Sequence, residues 1–432
     1  MGEGDKKHVF VTRINGKVYG LDDFMERHPG GRDMIALAQN RDSTGMFYSY
    51  HKNPAVAEKI LAKLPVLDDS LVPPAPEIDR FDFNSKIYND LRTLVNDYFT
   101  KNNLSSRGGL YMLTKSVLLV VFYSFIYSLS VWGWGEEGGS VFSRSLLCPL
   151  LGVLSASMGL CVQHDANHGA LSSYPIVNRM FGFCDDVIGG SGLMWRHQHC
   201  VGHHVFCNDV ENDNDTKSQY PLMKMNPSLP HRAYLRFQHI YFPFLYSLLG
   251  VSYPVGDAAN YASGSYAGEI KLHDLSVTDR AIFLSGKALH VSLYFLIPIY
   301  FLGWYTWFLQ WYLPTQLMGG LWLASVFAVS HNNTLCEHNC TSTDWANLQI
   351  RTSANWSSDS LMWNILSGGL NCQIEHHLFP GICHVHYPAL SKIVRKYCQE
   401  HQIPYNGVPT FTEIYLDHIN FLKKMGSGKK VD

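Results

Sequence analysis

His164-Asp-Ala-Asn-His168 stands directly beyond Leu146–Val162, an apolar run close to the ~17–25 residues a membrane-spanning helix needs. Histidines four apart share one face of a continuing helix, so the end of this span delivers two imidazoles to the edge of the lipid. Two further clusters have the same character, His199-Cys-Val-Gly-His203-His204 and Gln373-Ile-Glu-His376-His377. His331 follows another apolar run, Pro314–Ser330, in the same way. Neutral imidazole is the commonest protein ligand for iron, copper and zinc, so this density of histidine beside a bilayer reads as a metal centre acting on a lipid. A catalytic zinc takes about three protein ligands, so these eight imidazoles fit two metals better than one.

Four apolar segments are long enough to cross or nearly cross a bilayer: Ser116–Trp134, Leu146–Val162, Leu289–Leu309 and Pro314–Ser330. Lys101, Arg107 and Lys115 precede the first span, whereas the loop Gly135–Ser143 carries Glu136 and Glu137 and no Lys, which orients that span inward to outward. Two hairpins then return the chain, so both termini, all three clusters and His331 are expected on the cytosolic side. Ile240–Val255 is apolar but interrupted by Pro243 and Pro254, and is expected at the membrane surface. Trp304, Trp307 and Trp311 near span ends are expected as interfacial anchors.

The 34 Lys+Arg against 36 Asp+Glu offer none of the broad basic field that nucleic acid attracts. The ten cysteines form no Cys-x-x-Cys pair and read as reduced thiols, not as a zinc ribbon or a secreted disulfide framework. Residues 1–25 are polar and charged and do not read as a secretory signal. A length of 432 residues favours more than one domain.

The amino-terminal part reads as a small soluble α+β domain. Val9–Ile14 and Lys17–Tyr19 flank Asn15-Gly16, the dipeptide best suited to the positive φ angles of a tight hairpin. The domain is expected over residues 1–66, followed by a proline-rich linker at 67–83 containing Leu67-Asp-Asp-Ser-Leu-Val-Pro-Pro-Ala-Pro76, and then the membrane domain at 84–432. Ile87, Leu91, Leu94, Val95 and Tyr98 recur at helical spacing and predict an amphipathic helix over 84–101. His28-Pro-Gly-Gly31 is followed 23 residues later by His51 in the aromatic setting Phe47-Tyr-Ser-Tyr-His51. Two histidines on facing loops clamp one haem iron from both sides, which leaves no position for dioxygen and suits electron transfer. With these features the domain resembles cytochrome b5, over about residues 8–65. A donor haem favours iron over zinc in the second centre, although an imidazole-rich, carboxylate-poor set differs from soluble di-iron bundles.

With its three boxes and its haem domain together, the chain resembles the membrane fatty-acyl desaturases. It is most similar to the front-end group, which fuses a cytochrome b5 domain to the catalytic domain and carries glutamine where Gln373 opens the third box. The resemblance implies two non-haem irons held by His164, His168, His199, His203, His204, His331, His376 and His377, with Gln373 in or beside the coordination sphere. It also implies haem b on His28 and His51. The second box departs from many relatives by one additional residue before His203-His204, and His197 offers a competing register. Asn332 and Asn333 follow His331 and could complete a coordination sphere. Asp165, Asp209, Asp213, Asp215 and Glu375 are candidates to orient ligand imidazoles through the second ring nitrogen. His8, His231, His239, His273, His338 and His401 are read as background, and His384 and His386 as outside the centre.

The implied reaction uses O2 to remove two hydrogens from adjacent methylenes of a long-chain polyunsaturated acyl group, between an existing double bond and the carboxyl end. Aliphatic C–H groups offer nothing to hydrogen-bond, so the position depends on the shape and length of an apolar tunnel. Electrons would come from NADH or NADPH through a separate cytochrome b5 reductase, since no Gly-x-Gly-x-x-Gly unit is present. Gln163–Leu171 and Asn208-Asp-Val210 look most like delta-5-type enzymes. Delta-4, delta-6, delta-8 and sphingolipid desaturases share the architecture, and a membrane hydroxylase shares the oxidant. A membrane-anchored b5 electron carrier and a zinc-dependent hydrolase are readings of other classes. Localisation to the endoplasmic reticulum membrane follows from the family; the carboxy-terminal Lys429-Lys430 is only suggestive of retention there.

Overall fold

The computed structural model describes residues 10–133 and 140–428; His8, Glu136, Glu137 and Lys429–Lys430 lie outside these residues. At the amino-terminal end, β1 (Val11–Ile14) pairs antiparallel with β2 (Lys17–Gly20), and Asn15 and Gly16 turn the hairpin with φ of 49° and 74°. β3 (Val66–Leu67) closes the sheet by pairing Tyr19 with Val66. Phe10, Ile14, Tyr19, Leu21, Ile35 and Leu61 form the core of this unit. The stretch 67–83 is mostly exposed but is anchored at a few points. Arg13 Nε donates to the Val72 carbonyl at 2.8 Å, and Ile78, Phe81 and Phe83 are buried in the large core that also holds Trp345.

The helix Lys86–Lys101 forms as expected, with Ser85 as its N-cap. Its buried stripe is Tyr88, Leu91, Val95 and Phe99, while Leu94 faces outward. Tyr88 Oη donates to Leu378 O at 2.9 Å and Arg92 donates to Tyr48 O at 2.9 Å, so this helix packs on both units at once.

Among the described residues, three helical runs are long and apolar enough to cross a membrane: Gly109–Trp132, Val141–Asn167 and Val277–Ala328. The 52 residues of the last would extend roughly 78 Å as one helix, more than twice the hydrocarbon thickness. The run instead folds back at Gly303, whose φ of 72° breaks the helix. Trp307 beyond the break donates to the Tyr294 carbonyl before it at 2.7 Å, and the rings of Phe295 and Tyr312 meet at 5.2 Å. The result is four apolar helices, consistent with the expected number. Their polar first turns extend past the apolar windows because backbone hydrogen bonding continues where hydropathy falls; at 276–279 a capping box of Ser276 and Asp279 starts the helix. Leu118, Val121 and Phe125 on the first helix project outward, as lipid-facing side chains do. The molecule is membrane-associated through these helices.

Trp307 and Trp311 are buried, not interfacial anchors. Their indole N–H groups are satisfied inside the bundle by Tyr294 O and by Ser130 Oγ at 2.8 Å. Of these three tryptophans, Trp304 is the exposed one. The segment around Pro243 and Pro254 forms two helices, Gln238–Ser247 and Leu249–Ser263, which pack on the fourth apolar helix. Small residues make these approaches possible: a Cβ at Gly320 would meet Ser247 O at 2.5 Å, and one at Gly152 would meet Thr315 O at 2.2 Å. Outside the amino-terminal unit, the helical fold is interrupted by two small strand pairs, Ser265–Tyr266 with Ile270–Lys271 and Asn355–Trp356 with Gly407–Val408.

Candidate metal centre and haem cleft

The three clusters and His331, separated by up to two hundred residues, converge into two adjoining groups. His164, His168, His199 and His376 bring one ring nitrogen each within 4.8 Å of one another; His203, His331 and His377 do so in a second group with Cys207. His204 lies on the seam, its Nε2 3.0 Å from His376 Nε2 and 3.1 Å from His199 Nε2, and its ring stacked on His377 at 4.4 Å. The second and third clusters therefore serve both groups, while the first serves one. His376 and His377, adjacent on the helix Gln373–Leu378, point to different groups.

The second box keeps the shared face its spacing suggests, on a wider turn. Arg196–His203 is a π-helix, wider by one residue per turn than an α-helix, so the additional residue in this box is absorbed in the turn. His199 and His203 stack at 5.2 Å and, with Asp215, also bring ligand atoms within 4.8 Å of one another, while His199 and His204, five apart, bring their Nε2 atoms together. His197 is turned away: its Nδ1 bonds Leu193 O and its Nε2 meets His273, which fixes the register on His199.

Second ring nitrogens are held from outside the centre. The Nδ1 of His203 bonds Asp213 at 3.0 Å, that of His331 the Thr352 carbonyl at 3.1 Å, and that of His376 Tyr387 Oη at 3.1 Å. His377 Nδ1 bonds Gln349 Oε1 at 2.8 Å and His168 Nδ1 bonds Tyr50 Oη at 2.7 Å. A neutral imidazole that donates through Nδ1 presents its Nε2 lone pair inward, which is the arrangement metal ligands adopt. Among the described residues, His164 Nε2, His168 Nε2, His377 Nε2 and Gln373 Oε1 are buried without a hydrogen-bond partner. Buried polar atoms are normally satisfied, so this concentration of orphaned acceptors fits cations between the rings. Burial first, then the neighbouring imidazoles, hold His199, His204, His376 and His377 well below the ordinary histidine value, so they are neutral and free to ligate. For His203, burial is outweighed by Asp213 and Asp215, and the ring is pushed up to about 9.

Gln373 places Nε2 2.9 Å from His331 Nε2, at the rim of the second group. Cys207 approaches His331 from its Nδ1 side at 3.3 Å, away from the seam. Asn333 is used in a turn, donating to Val329 O and accepting from the backbone of Leu335 and Cys336. Of the acidic candidates, Asp213 orients a cluster histidine directly. Asp165 reaches only to 4.0 Å of His164 and binds His384 Nδ1 at 2.9 Å, so His384 is tied to the centre's periphery. Asp209 pairs with Arg80, and Glu375 with Asn355 and Tyr405. Gln349, Tyr387, Tyr50 and Trp195, which stacks on His199 at 4.3 Å, carry no motif that would have singled them out.

In the amino-terminal unit His28 and His51 face each other with ring centres 6.2 Å apart across a cavity of about 440 Å³. A metal–nitrogen bond of about 2 Å on each side would separate the ring centres by roughly 6 Å. Both Nδ1 atoms are held by backbone carbonyls, His28 by Gly31 and His51 by Phe47, which leaves both Nε2 atoms for the cleft. Ile14, Leu21, Phe24, Leu37 and Phe47 give that cleft the apolar lining a porphyrin needs. Its far wall includes His168, Gly169 and Gly381 of the membrane unit. Beside the histidine groups, two adjoining cavities of about 150 and 280 Å³ share His203, Tyr253, Asp257, Phe327 and His331, and run between the second and fourth apolar helices and Leu249–Ser263.

Comparison with known proteins gives these sites a context. Residues 143–409 match the fatty acid desaturase family and residues 3–68 match the cytochrome b5-like haem/steroid binding domain. An acyl-lipid (7-3)-desaturase of Chlamydomonas reinhardtii, described as chloroplastic, is 34% identical over 95% of this chain and 80% of its own length. An acyl-lipid (8-3)-desaturase of Physcomitrium patens is 35% identical over 96% and 87%. Delta(5) fatty acid desaturase A of Dictyostelium discoideum is 29% identical over 96% and 90%. The chain belongs to the fatty acid desaturase family, as a membrane oxidoreductase fused to a cytochrome b5-like domain.

Proposed function

We propose that the protein desaturates long-chain polyunsaturated acyl lipids at the carboxyl side of an existing double bond, with delta-5-like selectivity. The observation that carries this reading is the pair of histidine groups opening onto one cavity between apolar helices, with a haem cleft against their other side. The names of the Physcomitrium and Dictyostelium relatives support the selectivity. In this reading His164, His168, His199 and His376 hold one iron, and His203, His331 and His377 the second. His204 stands between them and Gln373 at the rim. His28 and His51 hold haem b.

When bound, the irons supply the redox chemistry: CH2–CH2 and O2, with two electrons and two protons, give CH=CH and two waters. The protein's own part is positional. Asp213, Thr352, Tyr387 and Gln349 fix ring orientations, and Gly159, Leu323 and Phe327 line an apolar path for the acyl chain toward the histidines. Electrons come from NAD(P)H through a separate cytochrome b5 reductase. We place the protein in the endoplasmic reticulum membrane with both termini and the histidine groups cytosolic; an even number of apolar helices supports that placement.

The test is expression in a host without polyunsaturated lipid, single feeding of defined acids, and location of new double bonds by mass spectrometry. A new bond between an existing one and the carboxyl end, absent in His377→Ala, supports the reading, and its position assigns the selectivity. Unsaturation elsewhere, hydroxylated product, or no product from haem- and iron-loaded protein overturns it.

A further inference from the structure

His168 itself forms part of the far wall of the haem cleft, and one further side chain bridges the two sites, Tyr50 of the aromatic stretch before His51. Tyr50 ends the helix Thr44–Tyr50 of the amino-terminal unit, and His51, one of the two facing histidines, is the next residue. The Tyr50 hydroxyl meets His168 Nδ1 at 2.7 Å, across the boundary between the two units. The contact is reinforced on both sides. Arg107 donates to Gly381 O at 2.8 Å and to Gly169 O, and both glycines line the haem cleft. Farther out, Arg32 pairs with Asp279 at 3.2 Å, Asp33 pairs with Arg179, and Gln39 bonds Asp274 at 2.9 Å. The docked arrangement is thus specified by several charged and polar contacts, with Tyr50 at its centre.

We propose that Tyr50 is a positioning residue for electron delivery: it locks His168 in the tautomer that presents Nε2 to the metal, and it is the link between the haem ligand His51 and the iron ligand His168. The inference rests on the ligand assignments proposed above. With Nε2 given to a metal, the proton of neutral His168 is on Nδ1 and donates to Tyr50 Oη. The connection from His51 to His168 is then covalent through one peptide bond and one tyrosine side chain, with a single hydrogen bond. One electron leaves ferrous haem, which becomes ferric, and one ferric ion of the pair becomes ferrous. The tyrosine is neither oxidised nor deprotonated overall, and the reductant is the reduced haem itself.

The experiment uses the full chain, loaded with haem and iron, reduced at the haem with dithionite and mixed with O2 and substrate in a stopped-flow spectrometer. Tyr50→Phe keeps the ring and removes the hydroxyl. Tyr48→Phe is the control, since Tyr48 lies on the same helix and bonds Asn15 and Glu58 instead. The expected result is haem reoxidation slowed at least tenfold in Tyr50→Phe, with the haem spectrum and iron content unchanged, and an unaltered rate in Tyr48→Phe. Reoxidation at the wild-type rate in Tyr50→Phe, or equal slowing in both variants, overturns the proposal. Loss of iron from Tyr50→Phe with intact haem assigns the residue to holding metal alone and also overturns the electron route. Wild-type protein lacking a bis-imidazole haem spectrum or bound iron would overturn the ligand assignments, and the role given to Tyr50 with them.

Discussion

Substituting Gly152 by alanine tests whether the spacing of two membrane helices sets the geometry of the histidine groups. A Cβ on Gly152 lands 2.2 Å from Thr315 O and 2.8 Å from Gly319 N, both backbone atoms of the fourth apolar helix. Real Cβ atoms essentially never come closer than 3.0 Å, so the two helices must part by roughly 0.8 Å at the crossing, an overpacking that costs about 1–3 kcal/mol. No flexible side chain is available to absorb the shift. The same two helices lead to His164 and His331, one in each histidine group. Metal sites tolerate displacements of about 0.2 Å, and misplacement on the order of 1 Å costs about a hundredfold in rate. Gly152→Ala should therefore lower the melting temperature by several degrees, reduce bound iron, and cut product formation at least tenfold. Gly256→Ala, at a helical glycine with nothing within 4 Å of the added methyl, should leave melting and iron unchanged. Melting by fluorescence-detected size exclusion, iron by elemental analysis and product by mass spectrometry are the readouts. Wild-type iron content and turnover in Gly152→Ala would refute the coupling of helix spacing to the site.

Asp213→Asn removes the charge that holds His203 Nδ1 and should weaken iron binding about 10–100-fold, seen as partial iron loss on mild chelation while haem is retained. His28→Ala should abolish the haem spectrum but leave iron content unchanged, which separates the two centres. Acid sensitivity should have a contribution from His418, which burial, opposed by its bond to Asn332 O, brings down to about 4. A base depressed in the folded state contributes its full stability above about pH 6.5 and loses it as pH falls toward 4, so His418 alone should account for about 2 kcal/mol between pH 6.5 and 5. Unfolding across that range in wild type and His418→Asn measures it; equal slopes would contradict the assignment.

The sequence made the two-centre organisation legible because histidine at span ends has few structural uses. The Asn15-Gly16 hairpin, the four apolar helices and the convergence of the three boxes with His331 all followed from local pattern. What escaped was non-local. Gln349 and Tyr387 lie on helices with no unusual composition, and only folding brings them to His377 and His376. At the second box the four-residue spacing placed His199 against His203, but it did not show that the π-helix also brings His204, five residues on, to His199. Trp307 and Trp311 looked like anchors by position along the chain. The fold-back at Gly303 gives their N–H groups partners inside the bundle, and burial follows. The stretch 67–83 reads as a spacer from its prolines, and what that reading does not show is that Phe81 and Phe83 anchor it in the core.

The packing of residues 67–83, together with the ion pairs that seat the amino-terminal unit on the membrane unit, has a kinetic consequence. Donor and acceptor are parts of one molecule, so their encounter is governed by an effective concentration on the order of millimolar or more. A free cytochrome b5 at micromolar abundance competes poorly against a partner that is always present. In the proposed reaction, internal electron transfer is therefore first order, and its rate is insensitive to dilution within the membrane. On the same proposal, only the refilling of the haem by an outside reductase would retain a dependence on concentration.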